Sequence, residues 1–416
     1  MPTNYKNKEA YSVLSAISDK SLSLLAPNHQ PIVKRQPLNM FIAEKVVEKR
    51  WQAIDCDSAK AQLLDADTKS TMQQYKKNIE NFIGTVKLPV GIAGALRVNG
   101  LFAQGDYFIP LATTEAALVA SYNRGALLIS EAGGCSAMLL NEGVSRTPGF
   151  AFATLIQAGQ FVAWITTQLE QFTKLAQSTS SHVELKDLKI NIEGNHVYLI
   201  FDYLTGDASG QNMVTIATNA VFETILENSP IKPKYAFLDG NLSGDKKATS
   251  QSLNGVRGKK VTAEVHISAD LIEQRLHTTP ERMADFWRMS SVGGVLSGAV
   301  GVQGHYANGL AALYIACGQD AACVAESAVG VTRMELNDDG SLYAAVTLPN
   351  LMVGTVGGGT ALPSQAANLD ILGLAGNGNA KALAEVCASL CLAGELSIIG
   401  AFCAGHFAKA HRKLAR

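Results

Sequence analysis

Two long apolar runs, 291–318 and 386–408, constrain this chain more than any other feature. The first is rich in Gly and Ser and holds His305 and Asn308, and the second carries Glu395 and His406. Neither is the unbroken apolar span of about 20 residues that crosses a bilayer. Such runs must still be hidden from water, so they read as buried helices of a large soluble domain. Composition agrees: 47% of residues are hydrophobic, only 17% are charged, and 37 are Gly. That mixture suits a large core of closely packed elements joined by many turns. A length of 416 residues leaves room for two or three domains at about 150 residues each.

The net charge of −1 excludes a global basic field for nucleic acid or an anionic membrane. Seven Cys occur without a CxxC pair. They read as small core residues in a reducing compartment, with no metal site. The first residues, MPTNYKNKEAYSV, contain no apolar signal segment, so the expected location is cytoplasmic.

Residues 1–85 read as helical, with apolar residues at helical spacing in 40–53. Residues 86–112 alternate short apolar runs with turn signals, and Val98-Asn99-Gly100 predicts a hairpin turn. A helix is expected over 115–132, capped by Thr113 or Thr114. Between Pro148 and Pro233 the pattern becomes helix, two strands separated by Gly194-Asn195, and helix. That order predicts a small α+β sandwich inserted into the larger domain. Strands are expected over 260–269 and 341–353, a helix over 270–288, long helical structure over 291–330 and a terminal helix pair over 380–413.

The common dinucleotide and NTP cradles, GxGxxG after a strand and GxxxxGK[ST], are absent. The most Gly-dense segment is GTVGGGT at 354–360. It suits backbone approach to an anion or, equally, a tight structural turn. More specific is the ordered set LPVGIAGALRVNG (88–100), PLATTEAALVASYNRG (110–125), VSRTPG (144–149), TGDASGQNM (205–213), GNLSGDKK (240–247), GHYANGLAALYIACGQDAA (304–322), GTVGGGTALPSQ (354–365) and GHFAKAH (405–411). From about residue 78 to the end, the chain resembles the HMG-CoA reductase family, with ATTE, GQDAA and GTVGGGT similar to its class I branch.

The resemblance implies an α+β fold: a large domain around a long central helix with an inserted ferredoxin-like small domain. It divides the chain into an N-terminal helical region (1–85), a leading segment of the large domain (86–148) for substrate and CoA, an inserted cofactor-binding domain (149–236) and a closing segment of the large domain (237–416) with the catalytic loop and a C-terminal flap. It also implies a four-electron reduction of a CoA thioester by NADPH or NADH, with coenzyme A carried by the substrate. No metal is expected, and the active site is expected at the interface of a homodimer or dimer of dimers.

Matched residue by residue, Glu115, Lys246, Asp320 and His411 form the catalytic set. Lys246 suits an oxyanion partner, His411 a proton donor to the departing thiolate, and Glu115 a proton donor to the aldehyde oxygen. Asp320 would sit between Lys246 and Glu115. Taken alone, Asp320 also reads as a helix cap and Glu115 as a helix-dipole partner. Arg146, Lys247, Asn241 and Asn308 match the substrate side. Ser121, Asn123, Arg124 and His305 match the CoA side. Asp207, Ser209, Gly210, Gln211, Asn212, Gly357, Gly358 and Arg416 match the cofactor side.

Some positions depart from the family pattern. Ser209 and Gln211 replace methionines, Asp239 replaces a serine that binds the substrate carboxylate, and Arg288 is the nearest cation to where a pocket lysine belongs. Ser181, beside His182, stands where an arginine for the NADP phosphate is expected.

Overall fold

The computed structural model describes residues 41–405. His406, His411 and Arg416 lie outside them. The chain divides into two compact units, residues 1–86 and 87–416.

In the first unit, α1 (Glu44–Ile54), α2 (Asp57–Leu63) and α3 (Ala66–Thr71) lead into a short 3-10 turn. Asp65 caps α3 by accepting from the Thr68 N–H at 2.9 Å. Ile42, Val47, Trp51, Met72 and Phe82 form a small core of their own. Arg50 is buried beside it and donates to Phe82 O at 2.9 Å.

The second unit opens with a hairpin, β1 (Val90–Gly100) and β2 (Gln104–Ala112), then α4 (Leu118–Glu131) and β3 (Cys135–Arg146). Next come β4 (Gly149–Ala151), α5 (Leu155–Ile165), α6 (Leu169–Ser178), β5 (Glu184–Glu193), β6 (His196–Leu204), α7 (Gln211–Asn228) and β7 (Tyr235–Phe237). The chain continues through α8 (Gln251–Asn254), β8 (Gly258–Ile267), α9 (Ala269–Leu276), α10 (Pro280–Ser297), β9 (Gly301–Val302) and α11 (Tyr306–Ala316). It ends with α12 (Val324–Ser327), β10 (Gly330–Leu336), β11 (Leu342–Leu351), α13 (Pro363–Leu372) and α14 (Ala380–Cys403).

The strands β4, β5, β6 and β7 order as β7-β4-β6-β5, antiparallel throughout, with two helical connections on the β-α-β-β-α-β path. This is the ferredoxin-like arrangement. The β5–β6 hairpin turns at Gly194, whose φ of 58° is the left-handed conformation that a tight turn requires. Strand β3 links this sheet to the main one. Its N-terminal stretch pairs with β8 and β1, and Val144, Ser145 and Arg146 pair with β6. Arg146 therefore stands at the junction of the two sheets.

Helix α14 is the centre of the large domain, and 20 of its 24 residues are buried. It is long and apolar enough to cross a membrane, yet 83% of its most apolar window is enclosed by the fold. Gly125 of α4 lets the two helices meet closely: a Cβ there would lie 1.8 Å from Ala393 O.

The carboxylates within α14 are fully buried and spend their lone pairs on backbone N–H groups and one threonine hydroxyl. Glu385 accepts from Phe102, Ala103 and Leu139 at 2.8, 2.8 and 3.1 Å. Glu395 accepts from Gly304 and His305 and from Thr332 Oγ1, at 2.8 to 2.9 Å.

Several expected local features are corrected. The β1–β2 turn is 101–103, because Glu385 takes the N–H groups of Phe102 and Ala103 while Asn99 stays in the ladder opposite Gln104. Neither Thr113 nor Thr114 caps α4. Ala117 does so in a left-handed conformation, and Thr113 Oγ1 accepts from Glu115 N instead. The expected helix over 270–288 breaks at His277, and Thr279 with Pro280 starts a new one. The run 291–318 is not buried throughout. On α10, Val292, Val295 and Leu296, with Met289 before them, are exposed. Only one helix, ending at Cys403, occupies the described residues of 380–413.

Candidate active site

The loop 238–250 leaves the small sheet and runs along the end of β3, where Gly240 N donates to Thr147 O at 2.6 Å and Ser145 Oγ to Ser243 O at 3.4 Å. Its backbone visits the left-handed region at Asn241, Gly244 and Lys246, with φ of 62°, 74° and 56°. The Asp239 side chain folds the turn by accepting from Asn241 N at 2.7 Å. Lys247 Nζ returns to Asp245 O at 3.0 Å. These contacts leave Lys246 exposed, and its Nζ lies 2.9 Å from Asp320 Oδ2.

Asp320 follows the end of α11. Its Oδ1 accepts from Ala322 N at 3.0 Å and starts the 3-10 turn Ala321–Cys323, so it is both a cap and an ion-pair partner. Burial pushes the Asp320 carboxyl up. The Lys246 ammonium, the Ala322 N–H and the Cys323 thiol together outweigh it and hold the carboxyl below its usual value. The same hydrogen bond raises the Lys246 ammonium. Both partners are therefore charged at neutral pH, a fixed cation aimed by a fixed anion.

A network that runs from exposed Asp239 to buried Arg257 and Glu326 adjoins this pair. Arg146 Nη1 reaches Asp239 Oδ2 at 2.6 Å and Asp245 Oδ2 at 3.2 Å. Arg257 binds the other Asp245 oxygen at 2.9 Å and Glu326 Oε2 at 2.5 Å. Arg257 also reaches Gln211 Oε1 at 3.3 Å, and Gln211 Nε2 donates to Cys323 Sγ at 2.7 Å. Burial, then the neighbouring Glu326 and Asp320 carboxylates, keep the Cys323 thiol protonated. Arg257, Cys323 and Glu326 are not among the residues the sequence singles out, and Asp245 is there only within GDKK. One signal was readable: Glu326 is the single charge in the apolar stretch 321–332.

The Gly-rich loop joins the site by close backbone packing. Gly354 N donates to Gln319 Oε1 at 2.8 Å, and Thr355 N to Asp207 O at 2.9 Å. A Cβ on Gly354 would sit 2.5 Å from Ser209 N. Beyond it, Gly357 and Gly358 have φ of 72° and 53°, and the space where their Cβ atoms would point is open. Opposite, α7 starts at Gly210 with no side-chain cap, so the N–H groups of its first turn lack intrahelical partners. An exposed glycine backbone beside an uncapped helix N-terminus suits a phosphate-bearing dinucleotide. Gly210, Gln211, Asn212, Gly357 and Gly358 are the residues that could hold one.

Other expected ligands are placed differently. The Asp207 carboxylate accepts from Gly378 N and Ala380 N at 2.8 and 3.1 Å, which caps α14. Ser121 and Arg124 bond Ser397, and Asn123 accepts from Gly94 N. His305 stacks on Tyr122 with ring centroids 4.9 Å apart, and its Nε2 lies 2.8 Å from Gly394 O. Asn308 is half-buried in the first turn of α11. Arg288 pairs with Asp285 on its own helix, and no described contact brings it to Arg146. Glu115 is exposed on the turn before α4, without a hydrogen bond or ion pair to Lys246 or Asp320 among the described residues. Also among the described residues, no cluster of three or more His, Cys, Asp or Glu is arranged to hold a metal.

The sequence profile of the family described as Hydroxymethylglutaryl-coenzyme A reductase matches residues 46–416. The 3-hydroxy-3-methylglutaryl-coenzyme A reductase of Pyrococcus horikoshii is 43% identical over 347 residues, covering 82% of this chain and 84% of that protein. The same-named protein of Methanocaldococcus jannaschii is 41% identical over 346 residues, covering 82% and 85%. In fold, the chain is similar to the class II reductase of Streptococcus pneumoniae bound to NADPH, with a TM-score of 0.65 at 20% identity over 87% of this chain and all of that one.

Proposed function

The chain belongs to the hydroxymethylglutaryl-coenzyme A reductase family, and on that footing we propose that it reduces (S)-HMG-CoA to (R)-mevalonate and free coenzyme A, consuming two NADPH in the mevalonate route to isoprenoids. The observation that carries this reading is the Lys246–Asp320 pair, 2.9 Å apart and open to solvent. It lies on loops tied to the Gly-rich segment through Gln319 and to Arg146 through Asp245.

When bound, the nicotinamide supplies the hydride, once to the thioester and once to the aldehyde. Lys246 stabilises the oxyanion that develops on the thioester oxygen, an interaction of about 2.7–4 kcal/mol where such donors have been removed. Asp320 keeps that ammonium in place and charged. As the hemithioacetal collapses to the aldehyde, the C–S bond breaks and His411 gives its proton to the thiolate. Glu115 protonates the oxygen of the aldehyde as it becomes the alcohol. Arg146 holds the substrate's distal carboxylate, assisted by Lys247, Asn241 and Asn308, and it keeps a buried Nε–H without a partner among the described residues. Residues 149–236 are assigned to cofactor binding, assisted by the Gly-rich loop, 86–148 to substrate and CoA, and 237–416 to the catalytic loop and C-terminal flap.

We assign the exposed stripe of Met289, Val292, Val295 and Leu296 on α10 to a second copy of the chain, giving a homodimer that would bring Glu115 and Arg288 into one completed site. A reducing, cytoplasmic setting suits the seven free cysteines, five of them buried.

A second reading is favoured by one contact. Asp239 takes Arg146 Nη1 at 2.6 Å, where the substrate's own carboxylate is expected. An acyl-CoA without a distal carboxylate would then be the better substrate. Loss of nicotinamide absorbance with HMG-CoA, compared with other acyl-CoA thioesters and with NADPH against NADH, separates the two. Oxidation with HMG-CoA supports the first reading, and oxidation only with an uncharged acyl-CoA supports the second.

A further inference from the structure

Lys246 holds a backbone conformation that a non-glycine residue adopts only at a cost, about 1–3 kcal/mol for such positions. Its φ is 56°, and the cost has to be met by surrounding contacts. The residue before it, Asp245, has both carboxylate oxygens engaged, one by Arg146 at 3.2 Å and one by Arg257 at 2.9 Å. Burial raises the Glu326 carboxyl, and the Arg257 guanidinium first, then the Lys246 backbone N–H, oppose that rise.

Arg257 and Glu326 meet at 2.5 Å, with side chains only 5% and 1% exposed. Arg257 is itself anchored, since its backbone N–H donates to Asn350 Oδ1 at 2.9 Å. Glu326 lies on α12, which continues directly from the Asp320–Cys323 turn. One buried pair thus grips both halves of the exposed pair: the Lys246 loop through Asp245, and the Asp320 turn through α12 and the Gln211–Cys323 contact.

We infer that Arg257 and Glu326 are positioning residues, a buried ion pair that sets the Lys246–Asp320 geometry without touching substrate. The inference rests on the reading of Lys246 as the oxyanion partner. Fold stability alone is a weak reason for such a pair, because replacing a buried ion pair by apolar residues of similar volume is often neutral or stabilising.

The test uses the full-length chain with Glu326→Gln, Arg257→Lys and the apolar double variant R257M/E326L. Each is measured for kcat and KM with HMG-CoA, NADPH binding by fluorescence, thermal stability, and the Lys246 ammonium titration by NMR of reductively methylated protein. A displacement of about 1 Å can cost about a hundredfold in rate. The double variant is expected to stay folded and lose kcat by about 10- to 100-fold. Its Lys246 titration is expected to fall towards that of an ordinary lysine.

A folded double variant whose kcat stays within about threefold of wild type and whose Lys246 titration is unmoved would overturn the inference. If the double variant does not fold, the single variants carry the same readouts. If the wild type does not reduce HMG-CoA, the proposed function fails, and the Lys246 titration still decides whether this pair positions that residue.

Discussion

Replacing Asp320 by Asn should separate catalysis from stability. The amide keeps the shape of the side chain and its oxygen can still accept from Ala322 N, now at 3.0 Å, so the 3-10 turn should persist. What disappears is the negative charge 2.9 Å from Lys246 Nζ. The two side chains are 43% and 45% exposed. An ion pair screened to that extent contributes about 0–1 kcal/mol to stability. On the rate side, losing an oxyanion donor costs about a hundred- to a thousandfold in kcat. Lys246 is still present in D320N but no longer aimed, so the expected loss lies near the lower end, about a hundredfold. Steady-state NADPH oxidation with HMG-CoA, run beside urea denaturation of the same preparations, measures both quantities. A kcat within about threefold of wild type, or a loss of activity matched by a loss of stability above about 2 kcal/mol, would refute the assigned role.

Three further outcomes follow from other contacts. Gly354→Ala places a Cβ 2.5 Å from Ser209 N. Overpacking against backbone costs about 1–3 kcal/mol, so the KM for NADPH should rise about tenfold, and an unchanged KM would count against the Gly-loop cofactor site. Glu385→Gln turns an amide NH₂ towards backbone donors that the carboxylate now accepts from. It should destabilise the protein by about 1–3 kcal/mol in chemical denaturation, and a loss below about 0.5 kcal/mol would contradict that account. The depressed Asp320 carboxyl stabilises the fold above its ordinary pKa, and that contribution is lost as pH falls through the lower folded value. The raised Lys246 ammonium stabilises it below the ordinary lysine pKa, and that contribution is lost as pH rises through the higher folded value. The pair is therefore fully charged between about pH 5 and pH 9. Any limb of the kcat/KM profile in that interval should stay in place in Lys246→Arg, and a limb that moves would assign it to this pair.

Much of the architecture was legible in local pattern. Gly194-Asn195 between two alternating segments marks the β5–β6 hairpin, and the apolar run after residue 380 marks the central helix. Failures came where a distant group overrides the local signal. Asn99-Gly100 is a strong turn sequence, yet Glu385, far along the chain, holds the next residues as the turn. Nor does any local signal show that the Asp207 carboxylate caps a helix that begins 173 positions later. No spacing rule joins Lys246 to Asp320, and family resemblance alone paired them. Arg257 and Glu326 escaped notice because Arg257 stands in a basic run with Lys259 and Lys260, and nothing local joins it to Glu326, the lone charge of a distant apolar stretch.

The central claim is a four-electron reduction of HMG-CoA, and its most direct test is stoichiometry. Purified protein is supplied with limiting HMG-CoA and excess NADPH; thiol release is followed with a disulfide reagent and cofactor oxidation by absorbance, and the product is identified by mass. The account predicts two NADPH oxidised for each CoA thiol released, with mevalonate as the product. One NADPH per thiol with an aldehyde product, or thiol release without NADPH oxidation, would contradict it.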